Sequence, residues 1–146
     1  MTTEPVIGWR AWYLRHREGR LVLQSMNGGS LTRKTPIWPA RRRMVARCQN
    51  GSAPHTSPGE ACTCGLYAVT SLERLRGDWS YGGTDEFAVG TVALWGDVVI
   101  ADWGYRAQYG YPQMLLIPHI RWEQGRDLAR DYGIAVRLWN PYTWRP

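Results

Sequence analysis

The segment between residues 48 and 64 constrains the fold of this chain more than any other feature. It collects all three cysteines of the 146-residue sequence together with one of its three histidines. Residues 49–59 contain two glycines, two prolines and three serines or threonines, a composition that disfavours helices and strands. We therefore predict a segment without regular secondary structure, which needs something other than backbone pairing to order it.

The cysteines and the histidine of this segment form a candidate zinc site. Zinc prefers four sulfur or nitrogen ligands arranged as a tetrahedron, and three cysteines with one histidine are such a set. The predicted ligands are Cys48, His55, Cys62 and Cys64. Only Thr63 separates the last two cysteines, whereas paired zinc ligands usually have about two to four residues between them. The pattern predicts a zinc-ordered loop that turns sharply at Thr63.

Two other uses of the thiols stay open. Cys64 precedes Leu66 and Tyr67 and could pack as a small core hydrophobe. Alternatively, Cys64 at the start of a helix could be a nucleophile, with His55 or His119 as its base. The odd number of cysteines and the lack of an apolar secretory signal favour reduced thiols over disulfides. A cysteine-dependent enzyme is therefore a third hypothesis, and the sequence assigns no catalytic residue.

The positive charge lies in the first part of the chain. Residues 1–60 carry ten Arg or Lys against three acids, and residues 61–146 carry eight against nine. Arginine supplies 17 of the 18 cations, and its guanidinium group forms bidentate contacts with phosphate. The predicted nucleic-acid contacts are Arg33, Lys34, Trp38, Arg41, Arg42, Arg43 and Arg47. The arginines would neutralise phosphates and Trp38 would stack on an unpaired base, although a solvated face is the alternative.

Aromatic residues are the second candidate binding surface. The chain has nine tryptophans and eight tyrosines, most of which must pack in the core, as we expect for Trp95. Tyr105, Tyr109 and Tyr111 recur at even offsets, so a strand would carry them on one face, with Arg106 and Gln108 on the other. The three tyrosines and Arg106 are the predicted partner-binding site. They support a second hypothesis of a protein-interaction or regulatory factor, for example a phage-type inhibitor of a host protein.

The remaining sequence predicts many strands and two helices. Residues 9–25 read as a hairpin, residues 26–39 as an exposed loop, and residues 41–48 as a short strand or a helical turn. Apolar residues every third position predict a helix from Cys64 to Gly77, capped by Ser57 or Thr63.

Two strands are expected within residues 87–100, joined near Gly96 and Asp97, followed by two more strands interrupted at Pro112. A helix over residues 124–132 should end at Gly133, before a final strand over residues 134–139.

This order of elements predicts one α+β domain over residues 1–146. The strands would form a curved, mainly antiparallel sheet or a partly open barrel, for which a PUA-like arrangement is one option. Two short helices and the zinc-ordered loop complete the expected fold. No stretch reaches the roughly 20 apolar residues that span a bilayer, so we expect a soluble, cytoplasmic protein that does not bind membranes.

Several motifs together resemble a family of small uncharacterised proteins of actinobacteria and their phages. The resemblance rests on Trp38, Cys48, His55, Pro58 and residues 62–68, 90–96 and 104–107. It implies that the cysteine cluster and the Gly-Tyr-Arg-Ala segment belong to one recurring design. It implies no activity and transfers no catalytic residue.

Overall fold

A computed structural model describes residues 4–26, 36–48, 55–77, 87–118 and 122–139. These residues form one sheet and two helices. The elements are β1 (Val6–Arg17), β2 (Arg20–Ser25), β3 (Ile37–Trp38), β4 (Met44–Val45), β5 (Leu66–Val69), α1 (Leu72–Gly77), β6 (Phe87–Ala101), β7 (Gly104–Pro118), α2 (Trp122–Tyr132) and β8 (Ala135–Trp139). All strand pairs described are antiparallel except β7 with β8. The α+β prediction is confirmed.

The sheet closes partly on itself through its longest strands. β6 pairs with both β1 and β7, and β5 pairs with the same two strands from the other side. The contact that completes this circuit is a single pair, Trp9 with Val69. β2 and β3 extend the sheet beyond β1, while β4 and β8 pair with β7. β7 therefore pairs with both strands that flank the cysteine-containing segment, β4 before it and β5 after it.

Two bulges bend the long strands β6 and β7. Gly96 and Asp97 lie opposite the single residue Gln108, and Gly96 has a φ of 80° that favours glycine. The Gln108 side chain accepts a hydrogen bond from the Asp97 backbone N–H at 3.1 Å. The predicted turn at this point is wrong, because β6 continues through it. Pro112 likewise lies beside a register shift within one continuous strand, not at an interruption.

The first hairpin is confirmed and has a two-residue loop. Arg17 pairs with Arg20, which leaves Glu18 and Gly19 as the turn. Both have positive φ, 52° and 76°, as a type I′ turn requires.

The helix predicted from Cys64 to Gly77 is wrong in its first half. Residues 66–69 are strand β5, because all four pair with β7 and their burial alternates along the strand. The helix begins only at Leu72, and Ser71 caps it by accepting the backbone N–H of Arg74 at 3.2 Å. Ser57 and Thr63 are therefore not its caps. Apolar residues at every third position are compatible with a helix and with a strand. The pairing with β7 makes residues 66–69 a strand.

The second helix packs on the core through Leu128 and Tyr132. The Tyr132 hydroxyl donates to the Trp38 carbonyl at 2.7 Å and accepts the Leu23 backbone N–H at 3.0 Å. Burial raises the pKa of Tyr132 to about 12, so it stays protonated and can donate. Trp12 and Trp38 are fully buried and meet edge to face at 5.6 Å.

No helix in the described ranges is long and apolar enough to span a membrane.

Gly133 ends the second helix as predicted. Its φ is 68°, and its N–H donates to the Ala129 carbonyl at 2.9 Å. We expect Gly133→Ala to lower the free energy of unfolding by about 1 kcal/mol, because alanine is strained at positive φ. Urea denaturation of both proteins measures the difference. Gly133→Asn should lower the free energy of unfolding less, since asparagine tolerates this conformation. Equal stability of all three proteins would contradict the prediction.

Candidate metal centre

The structure brings together the four side chains that the sequence predicts as ligands. Cys48 follows β4, and Cys64 lies two residues before β5. One ligand atom from each of these two residues, from His55 and from Cys62 lies within 4.8 Å of all the others. All three cysteines are thiols, with no disulfide between them. The cluster could therefore hold one metal ion.

The distances within the cluster match the edges of a small tetrahedron. The sulfurs of Cys48 and Cys62 are 3.6 Å apart, and His55 Nε2 is 3.3 Å from the sulfur of Cys64. A tetrahedral zinc ion with ordinary bond lengths needs sulfur–sulfur edges of about 3.8 Å and nitrogen–sulfur edges of about 3.5 Å. These two distances are each about 0.2 Å shorter than the ideal edges, and no two of the four ligand atoms are more than 4.8 Å apart, so shifts of up to about 1 Å would place all four atoms around one ion.

Two glycines allow the loop to fold this tightly. The Gly59 carbonyl accepts the Cys62 N–H at 3.2 Å, and the Gly59 N–H donates to the sulfur of Cys64 at 3.4 Å. A Cβ at Gly59 would lie only 3.0 Å from the His55 ring. Gly65 has a φ of 134°, which favours glycine, and a Cβ there would crowd Arg106 and Pro58. The close Cys-x-Cys spacing is thus compatible with a shared site.

The surroundings of Cys64 favour its ionised form. Burial raises the pKa of this thiol, but interactions with the Ser57 hydroxyl, the Gly59 N–H and His55 outweigh burial and lower the pKa. Ser57 is buried, and its hydroxyl makes no hydrogen bond of ordinary geometry among the described residues, so it can turn toward the sulfur. Because thiolates are the metal-binding form of cysteine, these contacts prepare Cys64 to be a ligand. Ser57 was not among the predicted site residues.

Cys64 does not lie at a helix N-terminus, because α1 begins at Leu72. The hypothesis that Cys64 is a nucleophile at the start of a helix is therefore wrong in its placement of this residue. His119, the other candidate base, lies outside the described residues.

Arg106 fastens the loop to β7. The structure corrects the prediction that Arg106 contacts a partner, because its side chain is buried. Its Nη1 donates to the carbonyls of Cys64 and Gly59, at 2.7 and 3.2 Å. These bonds fix both ends of the 59–64 turn and put a positive charge beside the thiols. The only sequence signal for the burial of Arg106 is the alternation of side chains along β7, which places Arg106 on the inward face of the strand.

The three tyrosines of the predicted partner-binding face are half-buried. The Tyr111 hydroxyl donates to the Tyr132 carbonyl at 2.6 Å and accepts the Arg41 N–H at 2.7 Å. Tyr109 lies under the Arg43 guanidinium, 3.9 Å from ring centroid to carbon. Tyr105 packs against the main core. Their use by a partner protein stays a prediction.

Trp38 is not a stacking platform, which corrects the sequence prediction. It is fully buried, and its indole N–H donates to the Ser25 hydroxyl at 2.7 Å. The neighbouring arginines Arg41, Arg42, Arg43 and Arg47 are exposed. Arg41 is also tied to α2, through a hydrogen bond of 2.7 Å to the Arg130 carbonyl. Arg33 and Lys34 lie outside the described residues.

A cleft of about 1120 Å³ joins the arginines to the metal centre. Its lining includes Arg42, Arg43, Arg47 and residues 63–67. None of the described residues that line it is acidic. Arg10, which we did not single out from the sequence, also lines the cleft. The sequence signal for the burial of Arg10 was its even offset from Trp12 in β1, which places both residues on the inner face.

No protein-family model, curated protein or solved structure matches this chain. The resemblance to small proteins of actinobacteria and their phages stays a prediction.

Proposed function

We propose that the chain is a zinc-stabilised, non-enzymatic binding module that contacts nucleic acid through its arginine-lined cleft. The observation that carries this proposal is the position of the four candidate ligands, which meet within 4.8 Å beside a cleft whose described lining has arginines and no acid.

Zinc is the metal that best suits this ligand set. Thiolate sulfur favours zinc over magnesium, calcium or manganese, and three sulfurs with one imidazole are a common structural combination. Four protein ligands also fill a tetrahedron and leave no position for a reacting water. The ion would therefore order the loop between β4 and β5.

The cleft offers the two kinds of contact that proteins make with a single strand, which are cationic groups for the phosphates and aromatic rings for the bases. Arg42, Arg43 and Arg47 are exposed along its rim and can pair with phosphates. Tyr67 lines the cleft and stacks on Trp103, with ring centroids 5.4 Å apart and planes at 17°. Their exposed fractions are 40% and 38%, so a base could stack on this pair in place of Trp38.

A triple variant tests the nucleic-acid contacts. We expect Arg42→Gln, Arg43→Gln and Arg47→Gln together to weaken binding of a single-stranded oligonucleotide about tenfold or more at low salt. The slope of log affinity against log salt should also shrink by about 2, since each lost phosphate contact on a single strand removes about 0.7. Fluorescence anisotropy at several salt concentrations measures both quantities.

The matched control removes the same charge elsewhere. Arg126, Arg130 and Arg137 are exposed on α2 and β8 and do not line the cleft, so their change to glutamine should leave the affinity nearly unchanged. Equal weakening by both triple variants would refute the cleft as the binding surface. No binding by the unaltered protein at low salt would refute the nucleic-acid proposal itself.

An exposed apolar tip favours a second candidate function in protein recognition. Ile100 is 68% exposed and lies near Trp103, at the turn between β6 and β7. Such a pair could seat on a partner's apolar patch, as in the alternative of a regulatory factor or phage-type inhibitor. A single stoichiometric partner that is retained after nuclease treatment and lost in Ile100→Glu would select this function.

A further inference from the structure

We propose that the floor of the cleft is a binding site for a phosphate monoester, with Arg10 as its principal contact. This inference goes beyond the nucleic-acid proposal, because the same anion occurs on a free mononucleotide and at the phosphorylated end of a strand.

Arg10 is a buried cation without an anionic partner. Its side chain is only 9% exposed, and no carboxylate in the described part of the chain forms an ion pair with it. Nη1 donates to the Tyr67 carbonyl at 3.2 Å, whereas Nε is buried without a partner. Nη2 has no hydrogen bond within the described ranges. An unpaired buried charge is costly, so the arrangement is suited to a ligand that supplies the missing negative charge.

The position of the guanidinium is fixed before any ligand arrives. Its central carbon lies 4.6 Å from the Trp38 ring centroid and 5.3 Å from that of Trp12. Burial lowers the pKa of Arg10 to about 9, which still leaves it charged at neutral pH. The group is therefore a preorganised cation that lies against two buried rings and lines the cleft.

A phosphate monoester fits the charge of this site better than a carboxylate or a phosphodiester. Arg42, Arg43 and Arg47 line the same cleft, so several guanidinium groups face one ligand. A monoester carries close to two negative charges at neutral pH, whereas the other two groups carry one. Ser25 adds a neutral donor, since its oxygen already accepts the Trp38 N–H and its own hydroxyl hydrogen can turn to the ligand.

The size of the cleft indicates what is attached to the phosphate. A volume of about 1120 Å³ is at the upper end of ligand sites and far exceeds that of inorganic phosphate. Tyr67 is one of the lining residues, and its partly exposed ring, stacked on Trp103, offers an aromatic surface to a planar group. We therefore infer a phosphorylated compound with an aromatic ring, of which a nucleoside monophosphate is the simplest.

Calorimetry on the zinc-loaded chain tests the proposal with four probes. A nucleoside 5′-monophosphate should bind at least about 30-fold more tightly than the same nucleoside, since only the former pairs with Arg10. Equal affinities would overturn the inference. A single-stranded oligonucleotide with and without a 5′-phosphate then identifies the source. If the phosphorylated strand binds more tightly, the natural ligand is the phosphorylated end of a strand. If the two strands bind equally and the monophosphate still binds more tightly than the nucleoside, the natural ligand is a free nucleotide.

Arg10→Met removes the charge while keeping an unbranched apolar side chain against the tryptophans. We expect monophosphate affinity to fall at least tenfold, with binding of the unphosphorylated oligonucleotide unchanged. The triple variant at Arg42, Arg43 and Arg47 should weaken both ligands, because these arginines line the same cleft. Only Arg10→Met should separate the two ligands, so failure of the monophosphate proposal can be told from failure of the nucleic-acid proposal.

Because Arg10 is buried, a measurement on the unaltered chain accompanies this variant. Nitrogen-15 NMR of the arginine Nε groups should show the Arg10 signal shifting as the monophosphate is added. An unshifted Arg10 signal at saturation would overturn the inference.

Discussion

Replacing Cys62 by serine is expected to abolish tight zinc binding and to unfold the loop around it. A serine hydroxyl is a poor zinc ligand, and a structural zinc ion contributes about 10–16 kcal/mol of apparent binding free energy to a small domain. The metal affinity should therefore fall by more than about 100-fold. Zinc content after dialysis against a chelator measures the loss, and thermal unfolding measures its effect on stability.

Thr63→Ser is the matched control for this variant. It changes the neighbouring residue, keeps a hydroxyl group and leaves all four ligands in place, so zinc content and melting temperature should stay close to those of the unaltered protein. Chelation of the unaltered protein should reproduce the instability of Cys62→Ser. Full zinc retention by Cys62→Ser would show that this thiol is not a ligand.

Replacing Arg106 by methionine is expected to lower the free energy of unfolding by about 3 kcal/mol. The variant leaves the buried carbonyl of Cys64 and the partly buried carbonyl of Gly59 without their donor, and each such loss costs about 1–3 kcal/mol. Denaturant unfolding of the zinc-loaded protein measures the change. Because Arg106 positions the 59–64 turn, the zinc affinity should fall about 10-fold to 100-fold as well.

Arg130→Met is the control for Arg106. The Arg130 side chain is 69% exposed, and among the described residues its ion pairs are with Asp127 at 3.4 Å and Asp131 at 3.2 Å, both within α2. Such pairs contribute little, so its replacement should cost less than about 0.5 kcal/mol and leave zinc affinity unchanged. If Arg106→Met behaves like this control, Arg106 does not hold the loop.

The features that sequence predicted well depend on local chemistry. Positive φ at Gly19 and Gly133 follows from the turn and helix end that each makes. The cysteine cluster was recognisable because thiols and an imidazole lie in a segment too rich in glycine and proline to pair by itself. In each case the residue type itself indicates the backbone conformation or the ligand that the position requires.

The features that sequence missed depend on which strand lies opposite. Residues 66–69 are a strand because β7 offers four partners, and this information lies about 40 residues away. The same holds for Gly96, where only the partner strand distinguishes a bulge from a turn. Arg10, Trp38 and Arg106 were misjudged or overlooked because an arginine or tryptophan in a basic sequence suggests an exposed contact. Strand alternation was the only sequence signal for the burial of Arg10 and Arg106, and tertiary packing decides which strand face is buried.

X-ray absorption at the zinc edge tests the central claim most directly, because it reports the atoms bound to the ion in the folded chain. Three thiolates and one imidazole predict three sulfur neighbours at about 2.3 Å and one nitrogen at about 2.0 Å. Cys62→Ser should reduce the sulfur count or remove the signal. A protein purified with zinc present whose ion has only oxygen and nitrogen neighbours, or which retains no zinc, would contradict the account.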